Sequence, residues 1–181
     1  MQVFLIRHPP PCVQAGICYG RLDLDCADPA PYAAALHPQI PPGTLIFSSP
    51  LRRARRLAEA LAQALEADLR LDDRLREIDF GAWEGQRWDA IARPEIDAWA
   101  ADVLGYAPPG GESVAALQIR AHAFADALEA GGHAHAAVVS HAGMLRALVG
   151  RWRALPVDEW TQLAFAYGGL SVLDLARPPS P

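Results

Sequence analysis

The chain contains no lysine; all 16 basic residues among its 181 are arginine. That argues against Schiff-base lysine chemistry and against a lysine-bearing phosphate loop. Arginine can still grip phosphate, because its planar fork presents several N–H donors at once. Cysteine is scarce too. Cys12, Cys18 and Cys26 are odd in number and include no C-x-x-C pair, so neither a disulfide framework nor a zinc site is indicated. No apolar run reaches the roughly 18 residues of a membrane-spanning helix, so no membrane partner is expected. The N-terminus enters QVFLIRH with no basic stretch and no small-residue cleavage site, which predicts a cytoplasmic protein without a signal peptide. A net charge of −5 gives no reason to expect a nucleic-acid partner.

Hydrophobic residues make up 51% of the chain, enough for a substantial core, and the length suits one domain over residues 1–181. VFLI (3–6) is a short continuous apolar run, the pattern of a strand buried on both faces. Residues 9–43 are rich in proline and glycine and read as loop, with a short helix around Tyr32–Leu36. TLIF (44–47) reads as a second strand. The helix after it runs from about Pro50 to Leu65, with Ser49 as N-cap and Pro50 at the first helical position. DLRLD (68–72) suggests a third strand. Residues 84–104 are partly helical and broken at Pro94. Leu117, Ala121, Phe124 and Leu128 mark a helix over Ser113–Leu128. AAVVS (136–140) is a strand, Met144–Trp152 a helix and LSVLDL (170–175) a last strand, before a tail, ARPPSP, that should fray. Alternating strands and helices predict an α/β fold, a three-layer α/β/α sandwich around a mainly parallel central sheet.

Three strands end alike. VFLI ends at Arg7 and His8, TLIF at Ser48-Ser49-Pro50 with Arg52 and Arg53 just beyond, and AAVVS at His141-Ala142-Gly143. In open α/β sheets, ligands bind beyond the carboxyl ends of the strands. If these strands are neighbours, two histidines and at least two arginines converge there. The helix after the second strand opens with Arg52, Arg53, Arg55 and Arg56. Cations at a helix N-terminus oppose the macrodipole, at about 0.3–1 kcal/mol each, unless an anion sits nearby. One of the four is expected to hold phosphate and the others to be solvated. A phosphate pocket also needs a proton donor for the leaving oxygen. LREIDFGAWEG (75–85) offers Glu77, Asp79 and Glu84, and composition alone does not choose among them.

LIRHP, SSPLRRARRLAEAL, LREIDFGAWEG, PPGGES and VVSHAG resemble, in order and spacing, the histidine phosphatase (phosphoglycerate mutase-like) superfamily over nearly the whole chain. The resemblance implies that His8 is the phosphoryl-accepting nucleophile and that Arg7, Arg53 and His141 complete the phosphate pocket. It implies Glu77 as the proton donor and a backbone N–H from Ala142. No metal or cofactor is implied, and the partner is a small-molecule phosphate ester. Pro9, Pro10 and Pro11 replace the family's usual loop after the nucleophile. Gln14 stands where the family often has asparagine, and its amide is a candidate phosphate donor. GICYGRLDL (16–24) is similar to the α-ribazole phosphatases of cobalamin biosynthesis, which makes Tyr19 and Gly20 candidate substrate residues. An aromatic base in that substrate would call for stacking by Tyr19 and by Trp83 or Trp88. A phosphoglycerate mutase-type transferase, a broad-specificity phosphatase and a non-catalytic phospholigand module are the alternatives. The chain is shorter than is expected of a mutase. The motif DLDCA (23–27) would suit a haloacid-dehalogenase-like phosphatase only if an apolar strand preceded it, and CYGRL stands there instead.

Overall fold

The computed structural model describes residues 1–175; the terminal ARPPSP lies outside the described residues. The expected α/β sandwich is present. Five strands form one sheet in the order β3-β2-β4-β1-β5. They are β1 (Gln2–Arg7), β2 (Leu45–Ser48), β3 (Leu69–Leu71), β4 (His135–Ser140) and β5 (Leu170–Asp174). The first four run parallel, and β5 pairs antiparallel with β1 at the edge.

Val3–Ile6 of β1 are all buried because the sheet is covered on both sides. Successive side chains point to opposite faces. Val3 and Leu5 join a core with α4 (Val114–Ala130) and α5 (Ala142–Arg153). Phe4 and Ile6 join a second core with α1 (Ala30–Leu36) and α2 (Arg52–Leu65). α6 (Val157–Trp160) packs onto the first core through Trp160, and α3 (Arg93–Ala101) lies over a third cluster through Ile96 and Trp99. Trp83, Cys18 and Ile91 form a small satellite core, against which Trp88 and Trp99 pack. No helix among the described residues is long and apolar enough to cross a membrane.

Two helix starts differ from the expectation. α2 begins at Arg52, two residues late, after an extended Leu51 that gives no side-chain cap. Ser49 does not cap it, because its Oγ is taken by Leu51 N–H (3.3 Å) and by His141. The capping carboxylate comes from far upstream instead, with Arg52 N–H donating to Asp23 at 2.6 Å. Asp25 pairs with Arg52 and Arg56, and Arg55 with Glu59, so the chain's own acids offset the arginine cluster at the helix start. Pro94 does not break a helix; it sits in the first turn of α3, where its missing N–H costs no hydrogen bond. The rest of 84–104 is turn and 3₁₀ structure.

Candidate active site

β1, β2 and β4 are adjacent and in register at their carboxyl ends. Arg7 lies beside Ser140 and Ser48 beside Val139. His8 N–H donates to Ser140 O and Ser49 N–H to Val139 O, both at 3.0 Å, so the ladder continues one residue into the site. His8, Ser49 and His141 therefore arrive together on rigid backbone. The His8 and His141 rings are 5.0 Å apart.

His8 is 2% exposed. Its Nδ1 lies 2.6 Å from the Pro9 carbonyl, which can only accept, so Nδ1 carries the ring proton. That leaves the Nε2 lone pair free. Burial, then Arg53 and Arg7, push the His8 pKa down to about 3 against the upward pull of the Pro9 carbonyl. The ring is neutral at ordinary pH. His141 is fully buried, and burial and Arg53 hold its pKa well below the usual histidine range. Its Nε2 is 2.8 Å from Ser49 Oγ, and its Nδ1 is buried without a partner. When Ser49 donates to Nε2, the His141 proton rests on Nδ1 and is free to donate to an anion.

Arg53 is the arginine of the α2 cluster that turns inward, with 0% exposure. Its two Nη atoms donate to the carbonyls of Gly20 and Leu22, both at 2.6 Å. Arg7 donates to Phe165 O at 2.7 Å and stacks 3.7 Å over the Tyr167 ring. Neither arginine makes an ion pair among the described residues, whereas Arg21, Arg52, Arg55, Arg56, Arg74 and Arg120 all do. A buried cation held by carbonyls alone is poorly compensated. Fully buried Arg53 and half-buried Arg7 stand beside two neutral histidines, one of which has an unpartnered ring nitrogen, an arrangement suited to an anion.

Glu77 accepts N–H bonds from Ile78 (3.0 Å) and Gly143 (3.1 Å). A side chain on Gly143 would collide with its carboxylate. The carboxylate lies within electrostatic reach of both Arg53 and Arg146. Asp79 and Glu84 are committed elsewhere. Asp79 caps Gly81 N–H and pairs with Arg21. Glu84 accepts from the backbone N–H groups of Arg21, Leu22 and Phe80, and so pins the 16–24 loop to the 75–85 block.

The remaining sequence candidates divide. Tyr19 reaches the cluster, 5.5 Å from the Arg53 guanidinium, and its hydroxyl meets that of Tyr167 at 2.7 Å. Gly20 holds Arg53 through its carbonyl, and a side chain there would strike the Ile78 carbonyl. Ala142 opens α5 directly after His141. Its N–H is one of those a helix start leaves unpaired. Gln14 is exposed, and no side-chain hydrogen bond joins it to the cluster among the described residues. Trp83 and Trp88 are not on the site either. Trp83 is 1% exposed with its Nε1 on Glu95, and Trp88 stacks on Trp99.

Sequence reasoning missed Tyr167 and the contact of Ser49 with His141. Gly168 N–H donates to the carbonyls of Arg7 (3.0 Å) and His8 (3.1 Å), which ties the 165–169 segment to the nucleophile's strand. The signal was the direction of β5. Being antiparallel to β1, its start lies beside the end of β1, so the residues before it face the site.

A cavity of about 730 Å³ lies next to this cluster. Glu77, Ala142, Gly143 and Arg146 belong to its lining; His8, Arg53 and His141 do not.

Residues 3–178 match the family described as histidine phosphatase superfamily (branch 1). The chain is 37% identical over 136 residues to the probable phosphoglycerate mutase GpmB of Salmonella paratyphi B, covering 72% of this chain and 63% of that protein. It thus spans less than two thirds of that relative's length. Mycobacterial glucosyl-3-phosphoglycerate phosphatase, solved with inorganic phosphate, superposes with a TM-score of 0.80 at 29% identity, over 96% of this chain and 89% of that one. The α-ribazole phosphatase from Shigella flexneri superposes with a TM-score of 0.86 at 25% identity, over 96% and 90%.

Proposed function

The chain belongs to the histidine phosphatase superfamily, and from that premise we propose that it is a phosphomonoesterase acting through a phosphohistidine at His8, with the chemistry carried by one domain. The observation that carries this reading is the pairing of a neutral, tautomer-fixed His8 with two arginines that, among the described residues, are held by carbonyls and make no ion pair. His8 Nε2 attacks phosphorus. A P–N bond forms as the bond to the leaving oxygen breaks. Arg7, Arg53, the His141 Nδ1–H and the Ala142 N–H take up the charge on the transferring oxygens, which is the main catalytic device in phosphoryl transfer. Glu77 delivers a proton to the leaving oxygen. Water then attacks the phosphohistidine, Glu77 takes the water's proton, and phosphate leaves with His8 neutral again.

The substrate we propose is α-ribazole 5′-phosphate. The CYGRLDL segment and the similarity to the Shigella flexneri enzyme support it. Trp83 and Trp88 pack away from the cluster, and of the aromatic residues read from the sequence only Tyr19 lies beside Arg53. The similarity to a probable phosphoglycerate mutase favours a second reading, phosphoryl transfer on a phosphoglycerate. The test compares kcat/KM for α-ribazole 5′-phosphate, 3-phosphoglycerate and ribose 5-phosphate. A preference of at least about tenfold, or ~1.4 kcal/mol of transition-state discrimination, is expected for the first. A smaller preference removes the α-ribazole assignment. Conversion of 3-phosphoglycerate to its 2-isomer faster than phosphate release would favour the mutase.

A further inference from the structure

We propose that the cavity beyond Glu77 is the leaving-group pocket, and that it selects phosphate esters of aromatic or other bulky apolar alcohols over those of small polyols and hydroxy acids. The inference rests on Glu77 being the proton donor. A proton donor touches the leaving oxygen, so the rest of the leaving group must lie on the donor's side of the phosphate cluster. The space on that side is the cavity, whose lining continues from Glu77 through Gly143, the residue whose N–H holds the Glu77 carboxylate.

The walls define what fits. Ile78, Phe80, Trp99, Val114, Leu117 and Trp160 contribute them. Three of the six are aromatic. They come from four places in the chain: the 75–85 block, α3, the start of α4, and α6. At about 730 Å³ the space falls within the range of roughly 300–1,000 Å³ typical of pockets for drug-sized ligands. A three-carbon acid would leave most of it open. Its second anion would meet one cation in the lining, Arg146, whose Nε already donates to Leu163 O and which stands among the lining acids Glu77 and Asp158; elsewhere it would face apolar wall at a desolvation cost. A flat bicyclic ring would instead exchange water for contact with Phe80 and Trp99.

The test separates the pocket from the reaction. Binding of 1-naphthylmethylphosphonate and of methylphosphonate is measured by calorimetry; both carry the phosphonate head and neither has a scissile ester. Wild type should prefer the naphthyl compound by about tenfold or more. Thr161→Trp and Gln162→Trp place bulk in the lining. Gln162 is exposed, so that variant folds even if the first does not. Either substitution should reduce the preference to within about twofold. It should also lower the ratio of kcat/KM for 1-naphthyl phosphate over 2-aminoethyl phosphate by about tenfold relative to wild type. Equal binding of the two phosphonates by wild type overturns the proposal. So does a preference that survives in folded Gln162→Trp. If wild type hydrolyses both esters yet shows no phosphonate preference, the phosphatase reading stands and the pocket falls. If the preference is present but neither ester is hydrolysed, the phosphatase reading falls and the leaving-group role of the cavity falls with it.

Discussion

His8, Arg53 and His141 are at most 2% exposed, and each is fixed by a carbonyl or hydroxyl at the end of a hydrogen-bonded strand or at the start of α2. The wall beyond Glu77 is made differently. It draws on the loop from Glu77 to Phe80, the nine-residue α3, the four-residue α6 and the first turns of α4 and α5, and it includes Val103 at 38% exposure. The first region is positioned by the sheet and, in the proposed reaction, would bind the group common to every phosphate ester. The second is positioned by side-chain packing of a loop and short helices against the starts of α4 and α5, and in the proposed reaction it would meet the part of the substrate that varies. Loops and short elements tolerate change where sheet ladders do not, so specificity can shift while the phosphate cluster stays fixed.

Substitutions in the two regions should therefore fail differently. The largest effect belongs to His8→Ala, which removes the nucleophile and should lower kcat by ~10⁴-fold or more for every ester, with an unchanged circular dichroism spectrum. Glu77→Gln comes next and sharpens the contrast. Loss of the proton donor should cost ~10²–10⁴ in kcat for alkyl esters and much less for p-nitrophenyl phosphate, whose leaving group needs little protonation. Equal losses on both would remove Glu77 as the donor; Asp79 and Glu84 already hold loops together. Arg53→Ala should reduce kcat/KM by roughly 10–100-fold for all esters alike, as a charge-assisted phosphate contact is worth ~1.5–3 kcal/mol. Arg56→Ala, one turn along the same helix but paired with Asp25 at the surface, should stay within about twofold. Similar losses for both arginines would mean the wrong one has been placed in the pocket.

A smaller effect concerns pH. His8 is held at about 3, below the ordinary value of 6.5, and His141 is depressed in the same direction. The unfolded chain takes up these protons as pH falls through about 6.5, whereas the native state does not until near 3. The stability of the native fold is thus full above pH ~6.5 and declines as pH falls towards 3. Urea midpoints measured at about pH 7 and about pH 4.5 should show that decline, and it should be shallower in His8→Gln. An unchanged slope in the variant would mean that the ring is not held neutral.

The contrast between the regions also explains what could be read in advance. An apolar run followed at once by charged or titratable residues identifies a buried strand delivering them to its end. VFLI-Arg7-His8 and AVVS-His141 could be placed that way, and the site histidines with them. The cap of α2 could not, because it comes from Asp23, 29 residues upstream. Ser49 looked like a local N-cap and instead serves His141, a partner 92 residues away. Tyr167 was hidden by the antiparallel turn of β5 in a chain whose other strands run parallel. Spacing could not show that Trp83 and Trp88, the two tryptophans proposed for stacking, pack instead into a satellite cluster, because their partner Trp99 comes from α3.

Covalent labelling tests the central claim most directly. Wild type is mixed with a phosphate ester radiolabelled at phosphorus, quenched during turnover, and digested for mapping. The account predicts an acid-labile, base-stable label on the peptide carrying His8, and none in His8→Ala. A label mapped to another residue, or full activity in His8→Ala, would contradict it.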